Sequence, residues 1–243
     1  MNAFTDQLKA WPKFYSEGQP VNLNYGAEYC YKNLGIPRRY FEAQIHTMDA
    51  FNAEQVELIN AFWQMVNSDK PKQALICSGI NHCGKTHIAC GLVNYLDLSD
   101  TAFSHKDVNG KKVTYQTKFR PRYVNEADLL DRITSFRATT NWFEIYTDNC
   151  AFLVIDEFGS TKWTSNESRK VNQVLNKRFN NGYQTAILSN RQQSEIFNLF
   201  NDDVKTRFYG CHAIVMHKAV ELSNYDRGDS GKDDSWLYDD DYY

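Results

Sequence analysis

Two spacings of apolar residues alternate along this chain. The compact runs Ala74-Leu75-Ile76-Cys77, Thr185 to Ser189 and Ala213 to Met216 read as strands, the first of them buried, and Ala151-Phe152-Leu153-Val154-Ile155 is continuously apolar, as expected of a strand buried on both faces of a parallel sheet. Between them apolar positions return at helical intervals: Leu58, Ile59, Phe62 and Val66, the stretch Lys85 to Leu96, then Leu129, Leu130, Ile133 and Phe136, and finally Val171, Val174, Leu175 and Phe179. Start signals support two of these helices. Asn52 and Gln55 have capping-box spacing, and Asn125 is placed to cap the third set. The pattern predicts an α/β domain.

The flanks and one interior stretch break the pattern. Residues 1–34 carry Phe4, Trp11, Phe14, Tyr15, Tyr25, Tyr29 and Tyr31, interrupted by Gly18, Pro20 and Gly26. They form either a small docking arm or rings packed on the main domain. Gly35-Ile36-Pro37-Arg38-Arg39-Tyr40 follows as an extended, proline-fixed connection. Residues 97–123 are polar, hold an Asn109-Gly110 turn signal and predict an inserted hairpin. There Lys111, Lys112, Lys118, Arg120 and Arg122 interleave with Tyr115, Phe119 and Tyr123, a composition that suits either a solvated hairpin or a track for phosphates and stacked bases of single-stranded DNA.

The chemistry concentrates at the ends of the predicted strands. Gly79, Ile80, Asn81, His82, Cys83, Gly84, Lys85 and Thr86 read G-x-x-x-x-G-K-T between a strand and a helix, which is a P-loop. Glycines let backbone N–H groups and the positive end of the next helix converge on a phosphate. Lys85 then reaches the β- and γ-phosphates and the Thr86 hydroxyl ligates Mg2+. The chain is therefore expected to bind ATP or GTP. Some 70 residues on, a buried strand ends in Asp156-Glu157, a Walker B pattern in which Asp156 supports the metal shell and Glu157 orients and deprotonates the attacking water. Asn190 ends another strand, where an amide can contact the γ-phosphate or the water.

Charge adds one asymmetry. Of 243 residues with net charge -3, the stretch from Asp226 onward holds seven Asp against Arg227 and Lys232, a net of about -5 that leaves residues 1–225 at about +2. Residues 228–243 read as an acidic, mobile tail, solubilising or able to cover a basic DNA surface. A uniformly basic nucleic-acid binder is excluded; a local basic patch is not. The six cysteines form no C-x-x-C pair and read as reduced cytosolic thiols, with Cys83 either an ordinary loop residue or an oxidisable one. No apolar run approaches the length of a membrane span, so the expectation is a cytoplasmic protein.

Gly84-Lys85-Thr86-His87-Ile88-Ala89, Val154-Ile155-Asp156-Glu157-Phe158-Gly159 and Leu188-Ser189-Asn190, with the lead-in Gly35 to Tyr40, together resemble the DnaC-type replicative helicase loaders and their relatives, the IstB-type transposition ATPases. The likeness spans residues 35–227. It implies a three-layer αβα AAA+ ATPase with a parallel central sheet that self-associates, so that one subunit's arginine completes its neighbour's site. By position Thr206-Arg207-Phe208 is similar to the segment bearing the family's arginine finger, and Arg227 to its sensor II arginine. His87 joins the nucleotide-binding set as the residue after the P-loop threonine. Three departures stand out: His82 and Cys83 in place of the usual Gly-Thr or Gly-Ser, Asp226 before Arg227, and the 97–123 insertion.

What the resemblance implies is an ATPase that engages a ring-shaped replicative helicase through residues 1–34 and holds single-stranded DNA, hydrolysing slowly as a monomer. Two alternatives stay open: an IstB-type transposition helper acting on duplex DNA, and a helicase-binding protein that blocks loading with little turnover.

Overall fold

The computed structural model describes residues 30–41, 43, 52–67, 73–98, 103–106, 112–115, 121–135 and 139–218. Within them lie seven strands and seven α-helices. In chain order these are α1 (Ala53–Asn67), β1 (Ala74–Gly79), α2 (Lys85–Leu98), β2 (Phe103–Lys106), β3 (Lys112–Tyr115), β4 (Arg122–Asn125), α3 (Glu126–Thr134), α4 (Trp142–Thr147), β5 (Phe152–Asp156), α5 (Ser165–Asn180), β6 (Gln184–Ser189), α6 (Gln193–Leu199), α7 (Asp202–Phe208) and β7 (His212–Met216).

Five strands make one parallel sheet in the order β4-β5-β6-β1-β7. Successive side chains of a strand point to opposite faces, so β1, β4, β5 and β6 feed two cores, whereas the edge strand β7 buries Ile214 and Met216 on one face and leaves Val215 exposed on the other. Leu75, Cys77, Phe152, Val154, Ala186 and Leu188 pack with α1 and α2. Ala74, Ile76, Leu153, Ile155 and Ile187 pack with α3 to α7. That division is the three-layer αβα arrangement. Phe152 to Asp156 are all buried, as the unbroken apolar run requires.

The predicted caps form. Asn52 Oδ1 accepts from Gln55 N at 2.9 Å while Gln55 Oε1 accepts from Asn52 N at 3.0 Å, and Asn125 Oδ1 accepts from Asp128 N at 2.8 Å. A capping box at Thr164 and Glu167 starts α5. At the other end of α5 Arg178 is fully buried, and its guanidinium donates to the carbonyls of Tyr146, Cys150, Ala151 and Gln184 and to Thr185 Oγ1. Tyr146 belongs to α4 and the other acceptors sit at the starts of β5 and β6, so one cation ties α4 to the N-terminal ends of these strands, opposite the ends that carry the motifs.

Two boundaries differ from the sequence expectation. β2 and β3 do form an antiparallel hairpin, with Lys106 opposite Lys112. The insertion is shorter than 97–123, however: residues 97 and 98 complete α2, and Arg122 and Tyr123 belong to β4 of the main sheet. Ahead of β5, Trp142-Phe143-Glu144 form the first turn of α4, capped by Asn141 Oδ1 accepting from Glu144 N at 3.2 Å. Among the described residues, no helix is long and apolar enough to cross a membrane.

Candidate nucleotide site

The order β5-β6-β1 places the ends of three motif-bearing strands side by side. In open parallel sheets ligands bind beyond the carboxyl ends of the strands. Gly79 ends β1 where the β7 backbone comes close: a Cβ there would lie 2.5 Å from Met216 O, and Ile80 N donates to that same oxygen at 3.1 Å. The loop then turns through His82, at φ 61, and Gly84, at φ 94. His82 thus takes a left-handed conformation that favours glycine, the physical content of the departure from the usual loop sequence.

Lys85, at the start of α2, is 6% exposed. Its Nζ donates to Gly79 O at 2.9 Å, Ile80 O at 2.8 Å and Asn190 Oδ1 at 3.0 Å, and lies 3.3 Å from Cys83 Sγ. The Asn190 contact joins the end of β6 to the P-loop. The ammonium is held against the loop by these acceptors.

Beside it, Asp156 Oδ2 accepts from Thr86 Oγ1 at 2.5 Å and from Tyr123 Oη at 2.9 Å, and Oδ1 accepts from Glu157 N at 2.8 Å. Burial first, and then the Asp156 carboxylate, push the Tyr123 phenol far above its ordinary range, so it stays a donor. Glu157 follows at φ 56 and is exposed. Thr86 and Asp156 are hard oxygen donors, and no cluster of three or more His, Cys, Asp or Glu groups that could cage a metal occurs among the described residues. That donor set fits Mg2+, which takes one or two protein oxygens and completes its shell with phosphates and water.

Four further residues, none singled out for this role by the sequence, build the walls. Gln55, fully buried, donates from Nε2 to Cys83 O at 3.0 Å, so the N-terminal turn of α1 clamps the P-loop. Gly35, at φ 76, lies where a Cβ would come within 2.0 Å of Tyr123 O, so only glycine lets the lead-in pass over β4. The lead-in ends in a 3-10 turn, Arg38–Tyr40, not an extended strand. Tyr40 there meets the His87 ring edge to face at 6.1 Å, under the Arg39 guanidinium. Burial raises the Tyr40 pKa; Arg39 opposes this, and Asp156 and Glu157 add to it, which sets Tyr40 within electrostatic reach of both acids. Glu126, fully buried at the start of α3, accepts from Ser160 Oγ at 2.8 Å, Thr161 N at 3.2 Å and Trp163 Nε1, fixing the loop after the Walker B acids.

The structure brings Gly79 to Thr86, Asp156, Glu157 and Asn190 together, with His87 alongside. Arg207 is elsewhere: its guanidinium donates to Asn176 O at 3.1 Å and to Asn180 Oδ1 and covers the Phe179 ring. That is the C-terminal end of the 16-residue α5, about 20 Å along the helix from its start at 1.5 Å per residue. Arg122 lies in β4, with its charge felt by Tyr146 and Cys150. Lys112 and Tyr115 are on β3. Arg227, Lys111, Lys118, Phe119 and Arg120, most of the proposed arm and the acidic tail lie outside the described residues.

No protein-family model matches the chain, and no curated protein matches it. Solved structures do. The DnaC helicase loader superposes with TM-score 0.56 at 19% identity over 74% of this chain and 99% of that one. DnaI superposes with TM-score 0.56 at 14% identity over 75% and 92%. The AMPPCP-bound DnaA from Aquifex aeolicus gives TM-score 0.56 at 12% identity over 72% of this chain and 50% of that one, so the chain spans about half of its length. The chain thus has the AAA+ fold that these replication proteins share.

Proposed function

We propose that this chain is an ATP-dependent loader of a ring-shaped replicative helicase onto single-stranded DNA. The observation that carries the ATPase part is the pair of contacts Lys85–Asn190 and Thr86–Asp156, which join three strand ends into one site. Support for the loader part is the likeness to DnaC over 99% of that chain, together with the motifs from Gly35 to Tyr40.

The residues act as follows. The backbone N–H groups of the loop and the start of α2 take the β- and γ-phosphates, and Lys85 exchanges its carbonyl partners for phosphate oxygens. Thr86 and Asp156 would hold Mg2+, which would offset phosphate charge. Glu157 takes a proton from the attacking water and Asn190 fixes the γ-phosphate. Arg207, bonded to Asn176 and Asn180 at the C-terminal end of α5 and in no contact with the P-loop, serves a neighbouring copy, and hydrolysis depends on self-association. ATP is then a switch read by the next subunit and by DNA.

Residues 1–34 capture the helicase, and the hairpin tracks single-stranded DNA. The test is co-purification with a replicative helicase in ATP, comparing wild type with the chain lacking residues 1–34. Capture lost with the arm is the expected result; capture that persists without it rejects the docking role.

A further inference from the structure

The Walker B aspartate has an unusually full set of partners. An ionised carboxylate offers about four acceptor positions. Asp156 uses two on Oδ2, for Thr86 and Tyr123, and one on Oδ1, for the Glu157 amide. One position remains, on Oδ1. The Thr86 bond survives metal binding, since a hydroxyl ligates through its lone pair while keeping its proton for the carboxylate. Tyr123 is the partner that is neither P-loop nor backbone. It comes from the edge strand β4, is 5% exposed, and is pinned by Gly35 closing on its carbonyl.

Resting on the ATPase reading above, we infer that Tyr123 determines which divalent cation the site accepts. By occupying the second lone pair of Oδ2, its hydroxyl prevents Asp156 from chelating a metal with both oxygens and leaves Oδ1 to reach it through a metal-bound water. Mg2+ suits that arrangement because it sheds water reluctantly and demands octahedral geometry. Ca2+ prefers more oxygen ligands and takes carboxylates in bidentate fashion. Tyr123 is therefore a positioning and specificity residue, acting through Asp156 and touching neither nucleotide nor metal.

The experiment uses the full chain and a fluorescent ATP analogue, titrated in EDTA, in Mg2+ and in Ca2+, for wild type and Tyr123→Phe. Wild type is expected to bind the analogue more tightly with Mg2+ than with Ca2+. In Tyr123→Phe the EDTA affinity stays, the Mg2+ half-saturation concentration rises by about 10-fold, as for loss of an outer partner of a ligand, and the Mg2+ over Ca2+ preference falls by the same factor. An unchanged preference, with EDTA affinity intact, overturns the inference alone. Wild type that binds no analogue overturns the ATPase reading itself. Should Tyr123→Phe lose EDTA affinity, Tyr123→Met gives a second reading of the same ratio in a site that cannot supply the hydroxyl, and a wild-type ratio there rejects the inference.

Discussion

Gln55 serves α1 and the P-loop at once, and the two roles can be separated. Its backbone N and Oε1 complete the capping box with Asn52, while Nε2 reaches Cys83 O 28 residues away. Asn52→Ala removes the cap alone and should cost about 1 kcal/mol of stability. Gln55→Leu removes the return bond to Asn52 and also takes the donor from a buried carbonyl, which adds about 1–3 kcal/mol. The expected total is about 2–4 kcal/mol. The loop it releases contains His82 in a left-handed conformation, so losing the anchor raises the ordering cost that phosphate binding must meet. A share of about 1.4 kcal/mol lowers ATP affinity about 10-fold. Urea unfolding measures the first quantity and a fluorescent ATP analogue the second. Asn52→Ala should bind like wild type. If both variants lose equal stability and bind equally well, the clamp does not hold the loop.

Arg178→Lys replaces a fork of donors with a single ammonium, which cannot serve four carbonyls and a hydroxyl, and should lower stability in urea by about 2–4 kcal/mol. ATP affinity of the folded protein should not change, because Arg178 sits at the opposite edge of the sheet. Asp148 is slightly desolvated, which raises its pKa, but hydrogen bonds from Lys177, Thr147 and Asn181 outweigh this and hold it below its ordinary 3.8. Its stabilisation is therefore complete above pH 3.8 and lost as the pH falls through the lower folded value. Asp148→Asn should be less stable than wild type near neutrality, with the gap closing below that pH in acid unfolding. Arg207→Ala and Glu157→Gln should each abolish hydrolysis, by about 10³-fold or more for the arginine, while an equal mixture recovers activity at interfaces that pair an intact glutamate with an intact arginine.

The parts of this molecule legible in the sequence are those whose chemistry is local. A phosphate cradle needs its glycines, lysine and threonine within eight residues, so Gly79 to Thr86 announces itself. Asp156-Glu157 and Asn190 are recognisable because buried strands deliver them. Tyr123 was hidden because its partner is 33 residues away and the pairing depends on the register that sets Asn125 beside Asp156. A signal existed: Tyr123-Val124 directly before the cap at Asn125 is a short strand feeding a helix. Gln55 showed its capping half only, since Cys83 meets it through tertiary packing. The lead-in reads as extended because of Pro37, yet Arg38 to Tyr40 turn beside α2 and bring Tyr40 to His87. Arg207 stood out only through the likeness of Thr206-Arg207-Phe208, and its contact with the end of α5 could come only from how α7 packs.

The most direct measurement of the central claim is helicase loading on closed circular single-stranded DNA. A ring helicase cannot thread onto such a circle without being opened, so DNA-dependent unwinding of an annealed strand reports loading. Wild type with ATP should start unwinding, and Lys85→Ala, which loses the phosphate ligand at the centre of the cradle, should not. Equal unwinding with both proteins, or none with wild type, would contradict an ATP-dependent loader.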